Sequence, residues 1–442
     1  MGLVLFLCLF VIDIQHASCY FSLKDRLKIL PRKNQKGLTM NTIKKLYCRT
    51  FQTVFRIAIP ILPYRSPKLL HSVDELPALL NEQNISSVLL VTDAGIRSLG
   101  LTTHLEELFS RNEISLTVYD GTVANPTTDN VAEALALYKE NNCQALIGFG
   151  GGSSMDCAKA VGACVARPRK PIMKMKGILK VIRPLPPLFA IPTTAGTGSE
   201  TTLAAVITDA KTRGKYPIND FPLIPKYAVL DPEVTRSLPP FITASTGLDA
   251  LTHAVEAYIG RSTTRKTRGA AVKAVDLIFH NIKEAYSDGN NMQARKNMLH
   301  ASYLAGVAFT ISYVGYVHAV AHSLGGRYNI PHGLANAVLL PIVLRSYGPV
   351  IHKKLHRLAI AAGLSERSDS HAEGAEKFIS AIEALLDDFS LGHTLQGINA
   401  EDIPELARHA DAEANPLYPV PVLMNAKELE QFYYAVMKQT TK

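Results

Sequence analysis

Asp249 and His253 stand four residues apart in "GLDALTHAVEAY", and His318, His322 and His332 follow in "GYVHAVAHSLGGRYNIPHGLANA". Residues four apart share one face of a helix, so Asp249–His253 and His318–His322 can each aim two ligand atoms at one point. A carboxylate with several imidazoles, set among Ala, Gly, Leu and Val, is a donor set for a divalent cation. These five groups are more than the four protein ligands or fewer that such a site needs, and spacing alone leaves open which one is spare. His280, His300, His352, His356, His371, His393 and His409 lack such company and read as ordinary histidines.

About a hundred residues upstream, "ALIGFGGGSSMDCAKA" sets Gly150, Gly151, Gly152 and Ser153 between a strand-like and a helix-like run. Glycines let a ligand approach the backbone, and the start of a helix presents free N–H groups and the positive end of its dipole; together these can cradle a pyrophosphate. The loop is neither GxGxxG nor a Walker sequence. Asp93 closes the apolar run "SSVLLVTD". A carboxylate there can take ribose hydroxyls and repel a 2′-phosphate, which favours NAD over NADP; a cap for the helix after it is the alternative reading. "PTTAGTGSE" offers Thr193 and Thr194 as cofactor lining or as a turn, and Lys215 in "TRGKYPI" as a phosphate or ribose contact or a solvated side chain. A metal and a nucleotide together indicate a cofactor-dependent redox enzyme.

The elements that must position these groups are legible in outline. From about residue 72 amphipathic helical stretches alternate with strands that are apolar throughout, such as "SSVLLVTD", "CQALIGFG" and "PLFAIPTT". Such strands belong to a parallel sheet covered on both faces, and right-handed crossovers make it doubly wound. Beyond Pro239–Pro240 the periodicity is helical, over 243–260, 267–287, 292–312 and 369–388. The expectation is an α/β nucleotide-binding domain over 52–239, with a doubly wound, mostly parallel sheet, followed by an all-α metal-binding domain over 240–442. Residues 1–51 read as a basic and apolar N-terminal extension, disordered or arising from an over-extended start, with 24–49 a solvated tail.

Charge and cysteine usage narrow the function. Residues 1–68 carry twelve Lys or Arg against two acids, more than the whole net charge of +9, so the body is near neutral and offers nucleic acid no basic face. The apolar run 1–11 is too short to span a bilayer and has no basic residue before it, so no membrane partner is expected. Six cysteines without CxxC pairs indicate free thiols in a reducing, cytoplasmic setting.

"GGGSSMD", "IPTTAGTGSE", "DPEVTRSLPP", "TGLDALTHAVEAY" and "HAVAHSLGGRYNIPHGLANA" follow one another in the order that resembles the iron-containing (group III) alcohol dehydrogenase family, over roughly residues 52–400. The resemblance implies an NAD-dependent alcohol–aldehyde interconversion on a primary or small alcohol, with Fe(II), or Zn(II), held by Asp249, His253, His318 and His332. It places His322 beside nicotinamide and substrate as a proton relay, and Phe309 in the substrate pocket. It also implies cofactor contacts at Asp93, Asn125, Gly151, Gly152, Ser153, Thr193, Thr194 and Lys215, and a homodimer. Rival readings within the same architecture are a zinc-dependent glycerol or polyol dehydrogenase and a dehydroquinate-synthase-like lyase. One departure stands out: many family members carry "GNPR" near the end, whereas here "EANPLYP" has no Gly before Asn415 and has Leu417 in place of Arg.

Overall fold

The computed structural model describes residues 40–438. The apolar run 1–11, Cys8, Cys19 and the first part of the basic segment 24–49 lie outside the described residues. The strands are β1 (Lys68–Leu70), β2 (Ser87–Val91), β3 (Ser115–Tyr119), β4 (Ala145–Gly150), β5 (Gly177–Ile178), β6 (Leu188–Pro192), β7 (Ala204–Thr208), β8 (Lys215–Asn219) and β9 (Tyr227–Val229). The helices of the first half are α1 (Thr42–Ala58), α2 (Leu76–Glu82), α3 (Ala94–Ser98), α4 (Thr103–Arg111), α5 (Thr128–Glu140) and α6 (Gly152–Ala166). Those of the second half are α7 (Pro240–Ile259), α8 (Arg265–Ser287), α9 (Met292–Ser312), α10 (Tyr316–Tyr328), α11 (His332–Tyr347), α12 (Pro349–Ala361), α13 (His371–Asp388), α14 (Ile403–Ala414) and α15 (Ala426–Val436).

Six strands form one parallel sheet in the order β1-β9-β6-β4-β2-β3. The unbroken apolar runs have a plain cause: Leu89, Val91 and Leu146 enter one core cluster and Val88, Leu90 and Ile147 another, one on each face. The chain leaves β2 for β3 on one side and returns to β4 on the other. The carboxyl ends of β2 and β4 therefore flank a topological switch point, where sheets of this kind bind ligands. Asp93 follows β2 and the glycine loop follows β4. The second sheet, β5-β8-β7, pairs β7 and β8 antiparallel.

From Pro240 the helices take over. α7 opens with proline at its first position, where no N–H is needed. It has no solvent-facing polar stripe and is buried along nearly its whole length, packed against α8, α9 and α11. An acid or a histidine on α7 is thus carried into the interior. α9 and α10 meet at a bend of 101°, with Tyr313 at the corner in left-handed conformation (φ 61°). No single helix among the described residues is long and apolar enough to cross a membrane.

One expectation is corrected. Residues 42–49 are not a solvated tail: they form the first part of α1, which runs straight through the expected boundary at 51/52. Cys48, Phe51, Gln52, Phe55 and Ala58 make a buried stripe at helical spacing, while Lys44 and Arg56 lie outside it. The basic composition described the outer face and concealed the inner one. The short edge strand β1 was also unforeseen; three residues leave little periodicity to detect.

Candidate active site

α7 carries Asp249, His253 and Glu256 at intervals of four and three, a single stripe along the helix. The sharp α9–α10 corner brings the start of α10, with His318 in its first turn, over that stripe. α11 begins at His332 itself. One ligand atom from each of Asp249, His253, His318 and His332 lies within 4.8 Å of the others. Asp249 Oδ1 stands 3.8 Å from His318 Nε2 and 3.6 Å from His332 Nε2. The first three residues are buried, whereas the His332 side chain is 40 % exposed and gives the cluster an open side.

Two observations show that this set fits a cation. His253 Nδ1 and His318 Nε2 are buried with no hydrogen-bond partner. Each such orphan costs about 1–3 kcal/mol, a penalty that coordination removes. Burial also disfavours charge: it lowers the proton affinity of His253 to a pKa of about 4 and that of His318 well below the usual value. Neutral imidazoles are the ligating form. The same burial raises the Asp249 carboxyl, against the pull of His253 and of Asn336.

Neighbouring groups fix the four side chains. Glu256, fully buried, accepts a 2.6 Å hydrogen bond from His318 Nδ1 and 2.9 Å bonds from the backbone N–H groups of Gly315 and Val317. It caps α10 and at the same time sets the His318 tautomer, leaving the Nε2 lone pair facing Asp249. The Asn336 amide, one turn along α11 from His332, donates to Asp249 Oδ1 at 2.7 Å and stands 3.0 Å from His332 Nε2. Neither residue was picked out from the sequence, although Glu256 three residues after His253 and Asn336 four after His332 gave a positional signal.

His322 stands apart from the four. Its ring stacks on His332 at 5.1 Å, and its Nδ1 is 2.7 Å from Glu413 Oε1, which also accepts from the Tyr418 hydroxyl at 2.7 Å. Burial works against a charge on His322, but the charge and hydrogen bond of Glu413 outweigh it and raise its proton affinity. Phe309 stacks on His253 with ring centroids 4.1 Å apart. Glu413 and Tyr418 lie far along the chain and gave no signal in the sequence.

On the other side, the three glycines of the loop do different work. Gly150 has φ 149°, and a Cβ on it would lie 2.5 Å from Ser154 Oγ and 2.9 Å from Ile96 Cδ1, so packing demands glycine there. At Gly151 and Gly152 an added Cβ would meet nothing nearer than 3.9 Å and 3.5 Å; these two leave room for a ligand at the start of α6. The Asn125 backbone N–H donates to Ser153 Oγ at 3.2 Å, which brings "NPT" to the loop. Thr193 N–H bonds Gly150 O, and the Thr194 hydroxyl is buried without a partner. Asp93 caps α3 through Ile96 N–H at 3.0 Å, with its other oxygen 3.5 Å from Ser154 Oγ. The capping alternative is therefore real, and it leaves the second oxygen at the switch point.

The loop after β6 joins the two halves. Gly198 lies against Gly306 of α9, where a Cβ would fall 2.8 Å from its Cα, and a Cβ on Gly196 would fall 2.5 Å from Thr246 Cβ of α7. Lys215 is exposed at the start of β8; burial first, and then the charges of His322 and Lys215, hold His332 below the usual imidazole range. The four cysteines among the described residues are buried and free.

The chain matches two family models, "Iron-containing alcohol dehydrogenase" over residues 70–232 and "Fe-containing alcohol dehydrogenase family, C-terminal" over residues 243–437. It is 37% identical over 366 residues to a 1,3-propanediol dehydrogenase of Klebsiella pneumoniae, which covers 82% of this chain and 94% of the relative. A solved 1,3-propanediol oxidoreductase superposes with a TM-score of 0.80 at 35% identity, over 84% of this chain and 98% of that one. A sulfoacetaldehyde reductase from Bifidobacterium kashiwanohense, solved in complex with NAD+, gives 0.75 at 27% identity, over 84% and 98%.

Proposed function

This chain belongs to the iron-containing alcohol dehydrogenase family and is an alcohol dehydrogenase, and from that premise we propose that it interconverts a small primary alcohol or diol and its aldehyde with NAD(H) and a divalent metal. Asp249, His253, His318 and His332 would hold the ion, Fe(II) or Zn(II), both of which suit one carboxylate and three imidazoles. When bound, the ion supplies Lewis acidity toward a substrate oxygen and the nicotinamide supplies a hydride acceptor.

The protein's own part is placement, dryness and proton traffic. Glu256 and Asn336 keep the ligand atoms aimed inward before any ion arrives. Gly151, Gly152, Ser153, Asn125, Thr193 and Thr194 would take the cofactor's phosphates and nicotinamide end, with Asp93 on the ribose and Lys215 at the cleft. Phe309, lying flat on His253, would form an apolar wall for the substrate's carbon chain. His322 would accept the hydroxyl proton, with Glu413 orienting its ring and balancing the imidazolium charge. We assign residues 52–239 to the cofactor and 240–442 to the metal, and we expect a cytoplasmic homodimer that binds no nucleic acid.

The observation that carries this reading is the pair of orphaned, buried histidine nitrogens, His253 Nδ1 and His318 Nε2, in the cluster with Asp249 and His332. The test is NADH formation by the full chain, purified anaerobically, with 1,3-propanediol, butanol or glycerol. Activity should vanish with a chelator and return with added Fe(II) or Zn(II). A chain that oxidises no alcohol with either ion, or is indifferent to chelation, would refute it.

A further inference from the structure

The segment Asn415–Pro421, "NPLYPVP", has proline at 416, 419 and 421. A stretch this rich in proline lacks the N–H groups to build a ladder, and its inward carbonyls must find donors elsewhere. α1 supplies them. Gln52 Nε2 donates to Tyr418 O at 2.7 Å and to Pro416 O at 3.3 Å. Arg49 donates through Nη1 to Val420 O and through Nη2 to Pro421 O, both at 2.8 Å, and its Nη1 also holds Gln52 Oε1. Gln52 is 4 % exposed, so the amide is committed to this contact. On the far side the Arg261 N–H takes Pro419 O at 2.7 Å.

What this segment presents to the site is Tyr418. Its hydroxyl donates to Glu413 Oε1, the same oxygen that meets His322 Nδ1. Phe55 of α1 packs edge-on against Tyr313 at 5.2 Å, and Tyr313 in turn packs against Tyr418 at 6.5 Å. α1 lies before residue 70, outside both matched segments, and it grips the stretch where the chain departs from the family's "GNPR".

We infer that α1 is a built-in back wall of the substrate pocket: Arg49 and Gln52 are positioning residues that fix the 415–421 turn, so that Tyr418 and Glu413 hold His322 in place beside the substrate. The inference rests on the alcohol dehydrogenase reading above. This support ties alcohol selectivity to residues remote from the chemistry.

The test compares three variants of the full-length holoenzyme with wild type, using a series of alcohols of rising chain length. Gln52→Ala removes two carbonyl contacts, and Arg49→Lys keeps the charge but loses the two-pronged grip. Ile59→Ala, at the residue that follows α1, loosens the cluster that Phe55 of α1 forms with Ile311 without touching the 415–421 carbonyls. Gln52→Ala should lower kcat/KM for alcohol about tenfold, as misplacement of a reacting group does, and shift the preference among chain lengths while leaving the KM for NAD and the metal content unchanged. Arg49→Lys should move the same quantities in the same direction by less, and it decides the matter should Gln52→Ala fail to fold. Ile59→Ala should lower the melting temperature and leave selectivity as in wild type. Folded Gln52→Ala and Arg49→Lys enzymes with wild-type selectivity would overturn the inference. So would an Ile59→Ala enzyme shifted as far as they are, since α1 would then be a prop and nothing more. A wild type that oxidises no alcohol would bring down the reading of the site instead, and the inference with it.

Discussion

The two halves of the site are built in different materials. The metal side is made of side chains: Asp249, His253, His318 and His332 on three helices, each held by a second buried group or by ring stacking. The side proposed for the cofactor is made mostly of backbone: free N–H groups at the start of α6, space over Gly151 and Gly152, and a loop whose glycines let one half touch the other. Side-chain sites are specified by residue type and tolerate little chemical change. Backbone sites are specified by what is missing, and a methyl group is their natural probe. The comparison predicts that substitutions on the metal side act on loading and turnover, and those on the loop act on cofactor affinity or on folding.

The largest effect is expected at His253. Its Nδ1 has no partner in the protein, so His253→Ala deletes a ligand and leaves the other groups one short. Metal content by elemental analysis should fall below stoichiometry, and kcat should drop by about 10³-fold or more. Retained metal and activity would mean that this nitrogen belongs to the structure and not to the site. Glu256→Gln comes next. The amide oxygen can still accept, but the carboxylate that orients His318 and caps α10 is gone. Metal affinity should weaken by about 10- to 100-fold, measured by competition with a chelator.

The loop should answer differently to one added methyl group depending on its place. Gly150→Ala forces a Cβ into Ser154 and Ile96 at a φ that L-residues avoid, and it should destabilise the fold by roughly 3 kcal/mol or more in denaturant melts. At Gly151 the nearest atom to the new Cβ is Thr194 Oγ1 at 3.9 Å. Gly151→Ala should therefore fold normally, load metal normally and raise the KM for NAD by about tenfold, by crowding the phosphate approach. Equal behaviour of the two variants would erase the distinction between a packing glycine and a binding one.

The same contrast explains what the sequence disclosed. Asp249, His253, His318, His322 and His332 announced a metal because imidazoles in apolar helices are costly and need a reason. Which four converge depends on the 101° corner between α9 and α10 and on α11 starting at His332, neither of which spacing contains. Strands β2, β4 and β6 were visible because burial on both faces leaves no polar position, whereas β1 and β5 were too short to show a period. α1 was misread because the excess of basic residues is carried by its outer surface. Glu256 and Asn336 had helical spacing from a ligand, but a buried glutamate or asparagine is recognisable only once its partners are placed. Glu413 and Tyr418 reach His322 from the far end of the chain, a contact fixed by tertiary packing alone.

The smallest expected effect tests that last contact and sharpens the boundary between the metal ligands and their neighbour. In His322, burial favours the neutral ring, and Glu413 more than compensates, so its folded pKa lies above the unfolded value. Glu413 shows the converse: burial would raise it, but His322 by charge and hydrogen bond and Tyr418 by hydrogen bond hold it below the usual carboxylate range. The signs follow from linkage. The stability that His322 gains is fully present below its unfolded pKa and is lost as pH rises through the raised folded value. The stability that Glu413 gains is present above its unfolded pKa and is lost as pH falls through the depressed one. A relay must accept a proton, so it needs neutral His322, and the acid limb of kcat/KM should report the raised pKa. Glu413→Gln keeps an acceptor for both His322 and Tyr418 while removing the charge. It should move the acid limb to lower pH and leave the plateau rate and the metal content close to wild type. If His322 were a metal ligand in place of His332, the same substitution would instead weaken metal retention and leave the acid limb where it was, because a coordinated imidazole does not titrate in that range.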